Sequence, residues 1–392
     1  MARRSLLMIP GPVDVWEDTL EALGKPITPH YGDEWIGLYW ETIELLKRVF
    51  QTSNDLFILV SSGSGAIDAT VGSMFCTGEK IAAVCNGPFM GRTIDIADGY
   101  GIEVVRVESE WGEAADVDKV RRTLKSQPDI AGLAVVGNDT GTGVRNPLRE
   151  LAQLAHEHDI PIVVDAISGM GGFNIPVDEW QLDAVITSSN KCLESPPGVG
   201  IVSVSPRAWR LIDAKKNDRH HGWYMNLSVW KEYMQGPVWG KWHPYPVTMA
   251  TSTILSLRTS LKRIVEQETL EGHWARVAWA QGVLRSGLQN IGFRMVATDE
   301  AASPTVTCVW KRDDMEVDDL IRFMDREHGF MVAGGNGDLE GKVFRVSHMG
   351  KASTKEYLLP FLLGIEDYVR RNGEQVPVGA SLIGLASTDQ WY

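Results

Sequence analysis

Seven short apolar runs constrain the fold of this 392-residue chain more than any other feature of the sequence. Many of their residues are β-branched, and stretches with apolar residues at helical spacing lie between them, for example at residues 146–159. Runs that are apolar on both faces and alternate with helices are typical of a mostly parallel sheet buried between helices. We therefore predict an α/β domain with a seven-stranded, mostly parallel sheet, whose functional site lies at the carboxyl ends of the strands. The runs occupy residues 56–60, 80–85, 103–108, 132–137, 160–167, 183–189 and 200–205.

The sequence pattern changes after residue 205. Residues 206–265 are irregular and hold five of the 14 tryptophans, which is typical of a subunit interface or a pocket wall. A single helix is predicted at about 252–288, and about 290–375 follows a strand–helix–strand–helix pattern. Because a chain of this length supports more than one core, we predict a large domain and a smaller C-terminal α+β domain. The predicted large domain comprises residues 15–260, and the predicted small domain comprises residues 1–14 and 261–392.

Charge and cysteine usage narrow the class of protein. The formal net charge of −13 argues against nucleic acid as the main partner. No stretch reaches the ~18 apolar residues of a membrane-spanning helix, and "LLMI" before Pro10 is too short for the apolar region of a signal peptide, so we expect no membrane association. The cysteines form no CxxC pair, so we expect neither a zinc site nor a disulfide framework, and scattered cysteines fit a reducing cytoplasm. They are Cys76, Cys85, Cys192 and Cys308.

A turn of small residues, Ser62-Gly63-Ser64, follows the first apolar run where a strand passes into a helix. Backbone N–H groups and a helix N-terminus at such a turn can bind an anion such as phosphate. The alternative is an ordinary turn with a capping serine. It is not a Walker A loop, because no Lys-Ser/Thr follows, and its spacing does not fit a dinucleotide motif.

Two charged residues stand at the ends of successive apolar runs: Asp165 at the carboxyl end of one strand-like run, and Lys191 just after the next. A strand-end carboxylate is often functional, although it can also cap the next turn. A lysine partly buried at a strand end has a lowered pKa and can form a Schiff base, although most single lysines are surface groups. An anion-binding turn, a carboxylate and an amine at the carboxyl ends of one sheet are what a pyridoxal phosphate site needs.

Three further residues suit such a site. Phe89 follows a strand, where its ring can stack on a flat cofactor or belong to the core. Thr140 follows another strand, where its hydroxyl can reach the cofactor's phenolate oxygen or belong to a polar turn. Arg345 lies within an apolar run, where its guanidinium either binds a substrate carboxylate or forms an internal salt bridge.

The chain resembles the class V, fold-type I aminotransferases of the alanine–glyoxylate / serine–pyruvate type, which use pyridoxal 5′-phosphate. The resemblance covers almost the whole chain, and its most specific motifs are "SSNKCLESPPG" and "GGNGDLEGKVFRVSHMG". It implies an enzyme with the large and small domains predicted above. The other motifs are "IPGPVDVWEDTLEALGKPITPHYGDEW", "SSGSGAIDA", "NGPFMGR", "DTGTGVRNP" and "VVDAISGMGG".

The resemblance implies a role for each matching residue. Lys191 corresponds to the Schiff-base lysine, and Asp165 to the carboxylate that holds the pyridine nitrogen. Arg345 and Gly11 correspond to the positions near the substrate carboxylate. The other implied cofactor contacts are Ser62, Gly63 and Ser64 at the phosphate, Phe89 and Ile167 on the ring, Thr140 near the phenolate, and Tyr245 and Thr248 at the phosphate of the neighbouring subunit, which implies a homodimer.

The resemblance implies that the enzyme moves an amino group from a small amino acid, alanine or serine, to a 2-oxo acid such as glyoxylate or pyruvate. Pyridoxamine–pyruvate aminotransferase is a close alternative, but it carries an extra arginine where this chain has Asn336, and here the Ser-Gly-Ser turn is intact. A lyase or desulfurase of the same fold is another alternative, although a desulfurase needs a mobile cysteine and Cys308 lies in a strand-like run. The chain also departs from the family at Tyr31, where the family commonly has arginine after the histidine, and this affects the expected substrate pocket.

Overall fold

The computed structural model describes residues 5–215, 222–236, 242–373 and 375–383. The strands are β1 Leu6–Leu7, β2 Asp55–Leu59, β3 Lys80–Cys85, β4 Glu103–Glu108, β5 Ile130–Val136, β6 Asn138–Asp139, β7 Val144–Arg145, β8 Ile162–Asp165, β9 Ala184–Ser188, β10 Gly200–Val204, β11 Val306–Trp310, β12 Phe330–Met331, β13 Ala333–Gly334 and β14 Val343–Ser347. The α-helices are α1 Glu17–Leu23, α2 Asp33–Phe50, α3 Gly63–Met74, α4 Met90–Gly99, α5 Val117–Ser126, α6 Leu148–Glu157, α7 Pro206–Ala214, α8 Leu227–Gln235, α9 Thr251–Lys262, α10 Leu270–Asn290, α11 Val317–Phe323 and α12 Lys355–Arg371.

The central sheet has seven strands in the order β2-β10-β9-β8-β5-β3-β4, and each of the seven apolar runs forms one of them. Only β10 is antiparallel to its neighbours, so the predicted seven-stranded, mostly parallel sheet is confirmed. Its central strands are buried on both faces, which is why they read as continuous apolar runs. The carboxyl ends of β2, β3, β5, β8 and β9 therefore meet at one edge of the sheet.

The chain has two main hydrophobic cores, and the larger one includes the strands of the central sheet. The larger contains buried residues from Trp35 to Val265, and the second contains Met8 together with residues from Ala280 to Ala380. The second core surrounds a three-stranded antiparallel sheet in the order β11-β14-β13. The domain boundaries at 14/15 and 260/261 stay predictions. In the described parts of the chain, every helix is too short or too polar to cross a membrane.

The N-terminal strand joins these two parts of the molecule. β1 pairs in parallel with β12, and the N–H of Ser347 on β14 donates to the carbonyl of Met8 at 2.7 Å. The chain then passes Gly11, which lies beside Lys191, before α1 begins. A segment from the start of the chain is thereby held against the carboxyl edge of the large sheet.

Two predictions about the middle of the chain are wrong. Most of the described part of residues 206–265 is helical rather than irregular, because α7, α8 and α9 lie there, although residues 242–250 are irregular as predicted. Ser205 and Asn226 cap the first two helices, and the high aromatic content obscures their helical spacing. The single helix predicted at 252–288 is interrupted: α9 passes into a π-helical turn at Arg263–Gln267, and Thr269 has φ 69°. Thr269 then caps α10, accepting the N–H of Gly272 at 3.2 Å.

Candidate active site

A cavity opens at the carboxyl edge of the large sheet, where strand-end residues from the sequence meet. It brings together the predicted residues Phe89, Thr140, Asp165, Ile167 and Lys191. They follow β3, β6, β8 and β9, so sheet topology rather than sequence proximity unites them. The remaining lining residues are Arg92, Val136, Asn138 and Ser168.

Asp165 is the last residue of β8 and is buried at 8% exposure. One carboxylate oxygen, Oδ1, accepts the N–H of Ile167 at 2.9 Å, so this residue does cap the next turn. Oδ2 has no hydrogen-bond partner among the described residues, and the side chain lines the cavity. Burial raises the pKa of Asp165 to about 6, and nearby Asp139 adds to the effect. This carboxyl group is therefore poised to share a proton with a basic group in the cavity.

Lys191 lies in the turn after β9 with its amine in the same cavity. Its Nζ donates to the carbonyl oxygen of Pro10, and no carboxylate of the described chain lies within 4.0 Å of it. Desolvation lowers the pKa of Lys191 to about 8, and the charge of Arg345 acts in the same direction. A substantial fraction of the amine is therefore neutral, and nucleophilic, near physiological pH.

Gly11 provides the space that Lys191 occupies. Its φ is 105°, a conformation that side-chain-bearing residues rarely adopt. A Cβ at this position would lie 2.5 Å from the Nζ of Lys191 and 2.6 Å from its Cδ. Only glycine lets the N-terminal segment approach the amine this closely.

Arg345 lies in the middle of β14 and is 7% exposed. Its guanidinium donates to the carbonyls of Gly334 at 2.7 Å and Thr140 at 3.3 Å, and to Oδ1 of Asn336 at 3.2 Å. All these partners are neutral, so the internal salt bridge considered from the sequence is not found among the described residues. Burial lowers the pKa of Arg345. The contact with Thr140 places an unpaired positive charge next to a residue that lines the cavity.

The Ser62-Gly63-Ser64 turn opens α3 beside the cavity. Ser62 caps the helix, its Oγ accepting the N–H of Gly65 at 3.4 Å, so the capping alternative also holds. A Cβ on Gly63 would lie 2.6 Å from Cδ1 of Ile167, which shows how closely the turn approaches the cavity wall. The N-terminus of α3 therefore faces the region beside Ile167.

Some predicted residues lie away from the cavity in this chain. Tyr245 is fully buried, where its hydroxyl donates to the carbonyl of His30 and accepts from Nε1 of Trp35 at 2.6 Å. Thr248 is exposed, and so is Tyr31 at 55%. The roles assigned to Tyr245 and Thr248 concern a neighbouring subunit and stay predictions.

No role is predicted from the sequence for several cavity residues, although Arg92 ends the motif "NGPFMGR" and Ser168 stands in the motif "VVDAISGMGG". Asn138 directly precedes the motif "DTGTGVRNP". Asn138 Nδ2 donates to Oγ of Ser168 at 2.9 Å, whereas its Oδ1 is buried and lacks a partner among the described residues. These residues are far from Lys191 in the sequence, so no local sequence pattern indicates that they lie in the same cavity.

Asp139 organises the loops on one side of the cavity. It is 1% exposed, and its carboxylate accepts the N–H groups of Gly141 at 2.7 Å and Phe89 at 3.1 Å. Burial raises its pKa, although these backbone hydrogen bonds oppose the shift. One buried carboxylate thus ties the loop that carries Phe89 to the loop that carries Thr140.

Comparison with known proteins agrees with this arrangement. The aminotransferase class-V family model matches residues 20–356. An uncharacterized aminotransferase of Methanocaldococcus jannaschii is 34% identical over 357 residues, which are 91% of each chain. The solved alanine–glyoxylate aminotransferase of Nostoc sp. is 28% identical with a TM-score of 0.89, over 94% of this chain and 96% of that one. The pyridoxamine–pyruvate aminotransferase of Mesorhizobium loti is 26% identical with a TM-score of 0.90, over 98% and 97% of the two chains.

These matches extend over nearly the whole chain and include the large sheet, the second core and the residues that line the cavity. The fold is that of the fold-type I aminotransferases, as the sequence motifs predicted. The protein is therefore an enzyme that transfers amino groups, and it belongs to the class V aminotransferase family.

Proposed function

We propose that the protein is a pyridoxal phosphate-dependent aminotransferase that moves the amino group of alanine or serine to glyoxylate or pyruvate. The observation that carries this proposal is the pairing of a partly buried amine, Lys191, with a buried carboxyl group, Asp165, in one cavity. Neither has an ion-pair partner within 4.0 Å among the described residues, so both are available to a bound group.

The cavity residues fit pyridoxal phosphate. Lys191 offers the amine that reacts with its aldehyde, Asp165 the carboxyl group for its ring nitrogen, and Phe89 and Ile167 the apolar surfaces for its ring. The close approach of Gly63 to Ile167 brings the N–H groups at the start of α3 to the same place, where a phosphate binds favourably. Oδ1 of Asn138 is buried without a hydrogen-bond partner among the described residues, as expected of an atom that contacts a bound group.

The side chains of the site then have distinct tasks in amino transfer. When bound, the cofactor supplies an electron sink for the pair left at the Cα of the amino acid. Lys191 Nζ would take the proton from that Cα and deliver it to the former aldehyde carbon of the cofactor, and its lowered pKa suits both steps. Asp165 would hold the proton of the ring nitrogen. Arg345 forks onto the carboxylate of the amino acid, with Gly11 allowing the approach beside Lys191.

Two relatives frame the choice of substrate. The Nostoc relative is named an alanine–glyoxylate aminotransferase, and a single buried arginine for the substrate carboxylate, Arg345, also favours small donors. The Mesorhizobium relative is named a pyridoxamine–pyruvate aminotransferase, which makes that reaction the second candidate. The intact Ser62-Gly63-Ser64 turn favours pyridoxal phosphate as the retained cofactor here.

A desulfurase function is disfavoured by the cysteines near the site. Cys308 is 1% exposed within β11, its thiol contacts the carbonyl of Gly141 at 3.3 Å, and burial raises its pKa to about 12. Cys192 is equally buried, and burial raises its pKa. Neither thiol has the exposure or the lowered pKa of a reactive cysteine.

We also propose a homodimer that shares its active sites. Trp223 and Trp242 are 53% and 68% exposed, and Tyr224 next to Trp223 donates to the carbonyl of Val60 at 3.1 Å, beside the start of α3. This aromatic surface adjoins the site, and a second copy would cover it. Sedimentation is expected to give twice the chain mass of 43.4 kDa, and a monomer at working concentration would contradict the dimer.

A cytoplasmic location completes the proposal. All four cysteines are free, and three are buried, as suits a reducing compartment. Fractionation of the source cells should recover the protein with the cytoplasmic fraction, and recovery from an oxidising compartment would contradict the assignment.

A single-turnover screen tests the substrate proposal. The full chain loaded with pyridoxal phosphate is mixed with one amino acid at a time, and the loss of its visible absorbance is followed. We expect alanine or serine to bleach the band fastest, and glyoxylate or pyruvate to restore it. If no amino acid bleaches the band, or if free pyridoxamine is the amino donor instead, the alternative functions would be favoured.

A further inference from the structure

Arg92 is a charged residue of the cavity to which the proposed reaction gives no task. It lies in the first turn of α4, three residues after Phe89, and it lines the cavity together with Asp165 and Lys191. Its guanidinium has no carboxylate within 4.0 Å among the described residues. A basic residue in the first turn of a helix opposes the helix dipole, so helix stability does not account for arginine here.

The hydrogen bond made by Arg92 places its charge beside the Ser62-Gly63-Ser64 turn. Nη1 donates to Oγ of Ser64 at 3.0 Å, so the side chain spans from the start of α4 to the start of α3. Ser64 is neutral, and a guanidinium carries five donors, so most of its hydrogen-bonding capacity and all its charge stay available. The Ser62-Gly63-Ser64 turn alone offers only neutral donors to an anion.

We propose that Arg92 binds the phosphate of the cofactor and supplies the full positive charge that the turn at Ser62–Ser64 lacks. This inference rests on the proposed function. Phosphate is favoured over the substrate carboxylate because Arg92 contacts the turn, whereas Arg345 contacts Thr140 and Asn336 on other loops. Guanidinium groups bind phosphate by paired, charge-assisted hydrogen bonds.

The charge of Arg92 also reaches the reacting groups. It lowers the pKa of Asp165 and of Lys191, although burial is the larger influence on both. A phosphate bound at Arg92 would offset this charge. Cofactor binding and the protonation of the catalytic pair are thus coupled through one side chain.

The test compares two ligands that differ only in the phosphate. The full chain, freed of cofactor by dialysis, is titrated with pyridoxal phosphate and with pyridoxal, and both dissociation constants are measured from the visible absorbance. For Arg92→Gln we expect about ten- to a hundred-fold weaker binding of pyridoxal phosphate, with pyridoxal changed by less than about three-fold. The dissociation constant of Arg92→Lys for pyridoxal phosphate should lie between those of the wild type and Arg92→Gln, because lysine keeps the charge but cannot form paired hydrogen bonds.

Controls separate this role from a structural one. Arg122→Gln removes an arginine that is 69% exposed and paired only loosely with Asp116 at 3.7 Å, and it should change neither constant. Inorganic phosphate should raise the unfolding temperature of the wild-type chain more than that of Arg92→Gln. If Arg92→Gln does not fold, the inference is tested with Arg92→Lys, by its affinities for the two ligands and by the rise in unfolding temperature that inorganic phosphate causes in it and in the wild type.

Three outcomes would overturn the inference. Equal weakening of both ligands would indicate a structural role. Unchanged affinity for pyridoxal phosphate, with a raised KM for dicarboxylic amino acids, would make Arg92 a substrate-carboxylate residue instead. A wild-type chain that binds pyridoxal phosphate only as well as pyridoxal would show that no phosphate site exists, whereas failure to bind either ligand would refute the proposed function itself.

Discussion

Lys191 and Glu194 lie in the same loop, both are withdrawn from solvent, and yet their surroundings differ completely. Among the described residues, the amine of Lys191 donates a hydrogen bond to the carbonyl of Pro10 and has no carboxylate within 4.0 Å. Glu194, fully buried, accepts from Arg276 at 3.0 Å, from Arg263 at 3.1 Å and from Nε1 of Trp16 at 2.7 Å. Burial without a counter-charge leaves a group reactive, whereas burial among counter-charges fixes it in place.

The electrostatics of the two positions follow from this difference. Burial lowers the pKa of Lys191 to about 8, toward the range in which an amine exchanges protons near neutral pH. Burial alone would raise the pKa of Glu194, but Arg276, His273 and Arg263 together hold it below its usual range. The network around Glu194 joins the loop of Lys191 to α10, and so it positions the amine without taking part in the chemistry.

The largest expected effect is the loss of the amine itself. Lys191→Ala should reduce turnover by about 10⁴-fold or more, because both the attachment point of the cofactor and the proton carrier disappear. The unfolding temperature of the cofactor-free chain should not fall, since the variant removes a partly buried amine that has no carboxylate within 4.0 Å among the described residues. Retention of full turnover by this variant would refute the assignment.

The paired charge should behave in the opposite way. Glu194→Ala should lower the free energy of unfolding by about 3–5 kcal/mol, because Arg276 and Arg263 each lose one of the two counter-charges that they have among the described residues, Arg276 keeping Glu268 and Arg263 keeping Asp18. Urea unfolding of the cofactor-free chain measures this loss, and Glu194→Gln serves as a control that keeps the shape but not the charge. A loss below about 1 kcal/mol would show that the network is not what holds the loop.

The fold and much of the site could be predicted because their signals are local. Each sheet strand is an apolar run of its own, and a parallel sheet necessarily brings residues such as Asp165 and Lys191 to one edge. The interruption between α9 and α10 could not be predicted, because Glu268 there pairs with Arg276 and His273. The position of Arg92 against Ser64 likewise depends on the packing of two helices that are separate in sequence.

Asp165 tests whether the carboxyl group of the pair serves chemistry more than binding. Asp165→Asn should reduce turnover by about 10²–10³-fold, as expected when a charge that stabilises a transition state is lost. Capture of pyridoxal phosphate should change much less, since Lys191 remains. Steady-state kinetics and the absorbance titration separate these effects, and equal losses in both would assign Asp165 to binding.

A substitution of Arg345 tests whether its guanidinium binds the substrate carboxylate. Arg345→Lys should raise the KM for alanine about ten-fold or more, because a lysine cannot form the forked contact with a carboxylate. The affinity for pyridoxal phosphate should stay the same. An unchanged KM, with weaker cofactor binding, would place Arg345 at the cofactor rather than at the substrate.

The smallest expected effect is a shift in pH dependence. The neutral amine of Lys191 is the reactive form, so the rate of pyridoxal phosphate capture should rise with pH and level off near the pKa of about 8. Stopped-flow absorbance on the cofactor-free chain measures this profile. In Glu194→Gln, if it folds, the capture rate should level off at a similar pH. A wild-type rate that still rises through about pH 10, as for an ordinary lysine, would contradict the lowered pKa.

Reductive trapping tests the central claim most directly. The full chain is incubated with pyridoxal phosphate, reduced with borohydride, digested and analysed by mass spectrometry. We predict one dominant modified peptide, which carries the cofactor on Lys191, and none at this position in Lys191→Ala. Stoichiometric labelling of a different lysine, or no labelling at all, would contradict the account.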